Sequence, residues 1–300
     1  MAAGSGTSAG GRTRTPFPAL LADTAVRALR EEAWLSPTPG LVDRRGGGAH
    51  DDMDLPLLLA SAEALRPAFR QIAEAAERTA ACVGLREELG GLGRMGERAM
   101  LRVTGGVNTH RGALWALGLL VAAVAGGAGD ERAAARAAAR LAALPDRWAP
   151  AGTPSHGERV RRRYGAGGAR HVAEAAFPHV TEVALPRLRR ARAAGRPEEV
   201  ARLDALLEVM SLLDDTCVLY RGGPDGLRAV RLGAGRVMAE GGAGTACGHA
   251  ALIELDAWLR RRRLSPGGSA DLLAAALFLD AAPWRARSPR AVREAPACRR

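Results

Sequence analysis

Apolar residues recur at helical spacing along most of the chain, and the stretches that lose this spacing are punctuated by glycine and proline. Leu20, Val26 and Leu29 predict a helix over Ala19–Trp34, stopped by the Pro37/Pro39 pair. A glycine-rich loop, Leu35–His50, follows. The same pattern predicts helices over Asp54–Thr79, Leu85–Val103, His110–Ala125, Arg132–Ala143, Val180–Ala194, Pro197–Leu213, Asp225–Met238, Gly248–Arg262 and Ser269–Leu279. Pro145 to Gly168 lacks periodicity and reads as a second long irregular region. Ala113–Gly129 is apolar but interrupted by glycines and too short for a membrane span, so it reads as a buried core helix. β-branched and aromatic runs are nearly absent, and the predicted class is all-α.

The chain has no internal repeat and no linker long enough to divide it. The expected organisation is one multi-helix domain over 18–282, between a disordered N-terminal tail, 1–17, and an irregular C-terminal tail, 283–300. At 300 residues and 47% hydrophobic content it can bury a full core. The net charge of +11 arises from 43 basic against 32 acidic residues, and every basic one is arginine. Arginine forks suit phosphates. The runs Arg159–Arg163 and Arg260–Arg263 lack interleaved aromatics, however, and read as solvated helix faces, which argues against nucleic acid as a partner. Cys82, Cys217, Cys247 and Cys298 form no CxxC pair, and the first residues lack the apolar core of a signal peptide. Both point to a reduced, cytoplasmic protein without a membrane anchor.

Chemistry is concentrated in five loops. In TGGVNTHRG, Thr104 to Gly112, Gly105 and Gly106 let a backbone approach a ligand, Asn108 or Thr109 can cap the helix that begins near His110, and its free N–H groups favour an anion. A tight capped turn explains these residues equally well. In PGLVDRRGGGAHDDMD, Asp43, His50, Asp51, Asp52 and Asp54 gather carboxylates of the kind that hold magnesium beside phosphate, although Asp51 and Asp52 also suit a helix cap. TPSHGE places His156 two residues before Glu158 in a turn, an arrangement open to acid–base work, to a phosphate or ribose contact, or to simple capping. DDTCVLYRGG sets Asp214 and Asp215 at a predicted helix C-terminus, against its dipole, with Arg221 beyond. SPGGSADLLA repeats the glycine-then-helix theme through Gly267, Gly268 and Ser269, the last a candidate cap.

Together SPTPGLVDRRGGGAH, TGGVNTHRGALWALGLL, TPSHGE, DDTCVLYRGG and LSPGGSADLLA resemble the triphosphoribosyl-dephospho-coenzyme A synthase family, in the family's order and across about Leu20–Leu279. The resemblance implies an all-α fold and an enzyme taking ATP and 3′-dephospho-coenzyme A to 2′-(5″-triphosphoribosyl)-3′-dephospho-coenzyme A and adenine. This product is the precursor of a decarboxylase or lyase acyl carrier prosthetic group. The wording of DDTCVLYRGG and GLVDRRGGGAH is closer to the malonate decarboxylase branch than to the citrate lyase branch. On that basis the expected catalytic residues are His156, Glu158 and Asp215, and the expected magnesium ligands are Asp43, Asp52 and Asp215. The expected substrate and phosphate contacts are Arg44, Gly105, Gly106, Asn108, Thr109, His110, Arg221, Gly267, Gly268 and Ser269.

The sequence departs from the family at two places. Thr38 replaces a usual lysine in SPKPGLVD, passing any phosphate contact to Arg44 or Arg45. His171 and Val172 replace a Gly-Glu pair, with Glu174 nearby as a substitute acid. These departures keep open a catalytically inactive nucleotide-binding helical protein, and the positive charge keeps open a nucleic-acid binder; release of adenine from ATP separates the enzyme from both.

Overall fold

The computed structural model describes residues 15–150 and 156–285. Helices carry the architecture, and the described residues contain no strand, only an isolated bridge between Asp43 and Gly46. Most lie where the apolar spacing predicts them: α1 Phe17–Ala33, α4 Val83–Val103, α5 Arg111–Ala125, α6 Glu131–Ala143, α10 Glu198–Leu212, α12 Ala246–Arg262 and α13 Gly267–Ala281. Phe17, assigned to the N-terminal tail by sequence, begins α1, and Trp284 packs on the core from the C-terminal side.

Four elements differ from the pattern. The single helix expected over Asp54–Thr79 is two, α2 Leu55–Ala64 and α3 Arg66–Arg78, because Pro67 cannot continue the ladder through Leu65. The irregular Pro145–Gly168 region contains α7, His156–Tyr164, with the short α8, Gly168–Glu174, directly after it. A π-helical turn, His179–Ala184, precedes α9, Leu185–Ala193, where Pro186 has no N–H to offer the preceding turn. Finally, α11 spans Thr216–Ala239 with a break at Gly223, whose φ of 61° precedes Pro224.

The centre is built by α5 and α13, which are apolar around most of their circumference and therefore covered on all sides. They pack on each other and on α1, with α3, α4 and α6 closing around α5 and α10 and the π-helical turn around α13. No helix among the described residues is long and apolar enough to cross a membrane. This packing brings the N-termini of α5, α11 and α13 together.

Candidate active site

Asp215 holds that meeting point. It lies at the N-terminus of α11, not at the C-terminus of the preceding helix as the sequence implied, so the dipole favours its charge. Its Oδ1 accepts from the N–H groups of Cys217 (2.9 Å) and Val218 (3.4 Å), and its Oδ2 accepts from Ser269 N (2.8 Å) and Ser269 Oγ (3.0 Å). Ser269 is thus a donor inside the first turn of α13 and not its cap, and the anion position at that terminus is filled by Asp215. Gly268 makes the approach feasible, since a Cβ there would come within 3.0 Å of Asp215 Oδ1.

Asp271, one turn into α13, reaches the other way. It accepts from Ala113 N at the start of α5, and its Oδ2 lies where a Cβ on Gly112 would stand, 2.0 Å away. Glu32, buried near the end of α1, is close enough to repel it. Burial, then the charges of Glu32 and Asp215, raise the Asp271 carboxyl well above the usual range. Burial alone lifts Glu32 to about 7. Burial raises the Asp215 carboxyl too, against the lowering by its Ser269, Cys217 and Val218 donors, so three carboxyl groups here hold a proton more tightly than they would in water.

The first glycine motif closes α4. Gly105, at φ 63°, follows the last turn, and Gly106 N–H donates to Leu101 O at 2.8 Å, the pattern of a left-handed helix C-cap. Both glycines face open space, but the Gly106 N–H is already committed. Asn108 Oδ1 accepts from Arg111 N at 3.2 Å. His110 is buried, its Nδ1 lies 2.8 Å from Ser61 Oγ, and Ser61 also meets Thr109. Burial lowers the His110 imidazole to about 4, so it is neutral at physiological pH.

The long loop between α1 and α2 is braced by its acids. Asp43 is 1% exposed and accepts from Ser36 Oγ, Thr38 N, and Arg45 N and Nε, at 2.7–3.1 Å. Arg45 in turn pairs with Asp256 on α12, whose Oδ1 also accepts from Gly40 N at 2.9 Å. Thr38, where the family has lysine, is wholly buried on Asp43, and Arg44 pairs with Glu199 on α10. Asp54, and neither Asp51 nor Asp52, caps α2. Asp51 pairs with Arg263, while Asp52 stands mostly in solvent 3.6 Å from His50. Arg221 of α11 lies 3.3–3.4 Å from the His50 ring nitrogens; burial first, then Arg221, keeps that imidazole below its ordinary value.

Asp43, Asp52 and Asp215 are consequently not brought together as one magnesium site. Asp43 is saturated by its own loop and Asp215 by helix termini, and among the described residues no group of three or more His, Cys, Asp or Glu side chains is arranged to hold a metal ion. His156 and Glu158 lie in the first turn of α7 and not in a loop, at positions about 200° apart around a helix axis, so they do not share a face. The side chain of His156 and residues 153–155 lie outside the described residues.

Residues 18–289 match a family described as ATP:dephospho-CoA triphosphoribosyl transferase. The chain belongs to this family. Among its relatives is a Pseudomonas putida protein named probable 2-(5″-triphosphoribosyl)-3′-dephosphocoenzyme-A synthase, 58% identical over 266 residues that cover 87% of this chain and 94% of that one. The Klebsiella pneumoniae protein named 2-(5″-triphosphoribosyl)-3′-dephosphocoenzyme-A synthase is 54% identical over 262 residues, covering 87% and 93%. An Azotobacter vinelandii protein carrying the same name with "probable" is 56% identical over 272 residues, covering 88% and 93%. No solved structure matches.

The buried acids of this junction that the sequence reading did not single out are Glu32 and Asp271. A signal for Glu32 was present: it continues the buried stripe of Leu21, Ala25, Ala28 and Leu29, so an acid falls on the apolar face of α1. Asp271 is likewise the lone acid near the start of a helix otherwise apolar for most of its length. The family departure at His171 and Val172 falls on α8, where Val172 joins the core and Glu174 forms an exposed pair with Arg170.

Proposed function

We propose that the chain transfers the 5-triphosphoribosyl group of ATP to the 2′-hydroxyl of 3′-dephospho-coenzyme A and releases adenine. The C1′–N9 bond of ATP breaks, a bond from that carbon to the 2′-oxygen forms, and the proton lost by the hydroxyl balances the one gained by adenine. The match over residues 18–289 supports the reaction. The observation that carries the site is Glu32, a buried carboxyl near 7 beside Asp271 at the junction of three helix N-termini.

Departure of adenine needs an acid, and Asp271, whose carboxyl burial raises well above the usual range, supplies it with Glu32 as the group that restores its proton. Positive charge develops at the reacting carbon as in glycoside chemistry, and Asp215, engaged by its four donors, fixes the α11 and α13 termini beside it. His156, on a helix packed against α11, takes the hydroxyl proton without help from Glu158, which falls on another face of that helix. Arg221 and the α5 mouth from Asn108 to Arg111 receive phosphates, with Arg44 at the loop rim; the glycines at 105, 106, 267 and 268 keep those termini narrow. Magnesium would enter with the triphosphate of ATP, since among the described residues the acids form no ligand set. The motif wording of DDTCVLYRGG and GLVDRRGGGAH supports service to malonate decarboxylase and its acyl carrier subunit over citrate lyase.

The reading is tested with ATP labelled at the γ-phosphate. Label recovered in a coenzyme A derivative that has gained the triphosphoribosyl group supports it, and label recovered only in free phosphate or pyrophosphate contradicts it.

A further inference from the structure

Away from the acid cluster, another face of α5 borders a cavity of about 210 Å³. Ile72, Leu114 and Trp115 give it apolar walls, and Arg86, Arg94 and Arg111 stand against Asp146 and Glu97 at its polar side. Three cations against two carboxylates leave one positive charge in excess. Arg86 is only 8% exposed, its guanidinium lies 5.1 Å from the centre of the Trp115 ring, and its Nη1 is 3.5 Å from Asp146. The Arg86 Nε–H and the Trp115 indole N–H have no hydrogen-bond partner although both are buried. A buried donor left unmade carries its full desolvation cost, and two in one wall mark a place where acceptors are missing.

We infer that this cavity takes the purine ring of an adenine nucleotide, stacked on Trp115 with its phosphates toward Arg94 and Arg111. Arg and Trp N–H groups only donate, so the ligand edge facing them must accept, as purine ring nitrogens do. The 6-amino group of adenine, a donor, finds Asp146 or Glu97. Neither orphan N–H is open to solvent, so binding requires Arg86 and Trp115 to turn toward the base as it enters. The volume is below the ~300–1,000 Å³ of pockets that enclose a drug-sized ligand, which suits one ring system and not a whole dinucleotide. A larger cleft of about 510 Å³ between α1 and α10 is less suited, because among the described residues no orphan donor lines it.

The assignment rests on the proposed ribosyl transfer, which supplies two adenine-bearing substrates. Equilibrium dialysis of labelled adenosine monophosphate against the full chain, with Trp115→Phe and Arg86→Lys checked for folding by thermal melting, tests it without turnover. Trp115→Phe keeps an aromatic face, smaller than the indole, and removes the N–H, so affinity should fall about 3- to 10-fold. A rise in KM for ATP alone places the ATP base in the cavity, and a rise for dephospho-coenzyme A alone places that base there. Unchanged nucleotide affinity and unchanged KM for both substrates in the folded variants overturn the assignment. If the unaltered protein releases adenine while both variants bind normally, only this assignment fails; if the variants lose affinity while the unaltered protein releases no adenine, the transfer reading fails and the adenine site stands.

Discussion

Glu32 has the strongest consequences at the scale of a single residue. Its carboxyl binds a proton at about 7 in the fold and near 4.5 when exposed, so between those values the folded state retains a proton that the unfolded chain has released. Its contribution to stability is therefore complete below about 4.5 and declines as pH rises through 7. Glu32→Gln, which keeps the shape and removes the titration, should stabilise the protein at pH 8 by on the order of 3 kcal/mol relative to its effect at pH 4. Urea unfolding at the two pH values measures this, and equal effects at both would place Glu32 in solvent. The same variant should lower kcat by about 10²- to 10⁴-fold, as loss of positioned proton transfer does. His110 carries the opposite sign: it stays neutral to about 4, and stability is lost as pH falls from 6.5. His156→Ala should lower kcat by about 10²- to 10⁴-fold with substrate binding retained, whereas a loss confined to affinity makes His156 a phosphate or ribose contact.

Among elements, Asp215 joins two helix N-termini through one carboxylate. Asp215→Ala strips a cap from α11 and the acceptor for Ser269 from α13, at a cost of about 2–4 kcal/mol, measurable by denaturant unfolding. A cost below about 0.5 kcal/mol would mean that the two termini are held by packing alone. Gly112→Ala tests the neighbouring junction from the other side, because its methyl would occupy the space of Asp271 Oδ2. Activity should fall together with stability there. These junctions explain which parts of the site were legible in the sequence. Helical spacing located α1, α4, α5 and α13, and the five motifs marked the loops at their ends. The destination of each loop acid was not legible, because Asp43 and Asp215 are consumed by donors from segments up to 54 residues distant. The helix over His156–Tyr164 was missed because its residues are almost all polar, without the apolar stripe that reveals a helix.

Over the whole molecule, the apolar α5 and α13 form a covered centre, and the buried acids gather at their N-terminal ends. The fold class followed from composition and period, since an Ala-, Leu- and Arg-rich chain without strand-forming runs has little alternative. Glu32 and Asp271 emerged only with the tertiary structure: an acid gains an unusual proton affinity from the groups packed around it, and these come from α1, α5, α11 and α13 together. The central claim, ribosyl transfer from ATP at this junction, is tested most directly by incubating the protein with ATP and 3′-dephospho-coenzyme A and separating the products chromatographically. Free adenine should appear in a one-to-one ratio with the dephospho-coenzyme A consumed. Formation of ADP, AMP or pyrophosphate without adenine would contradict it.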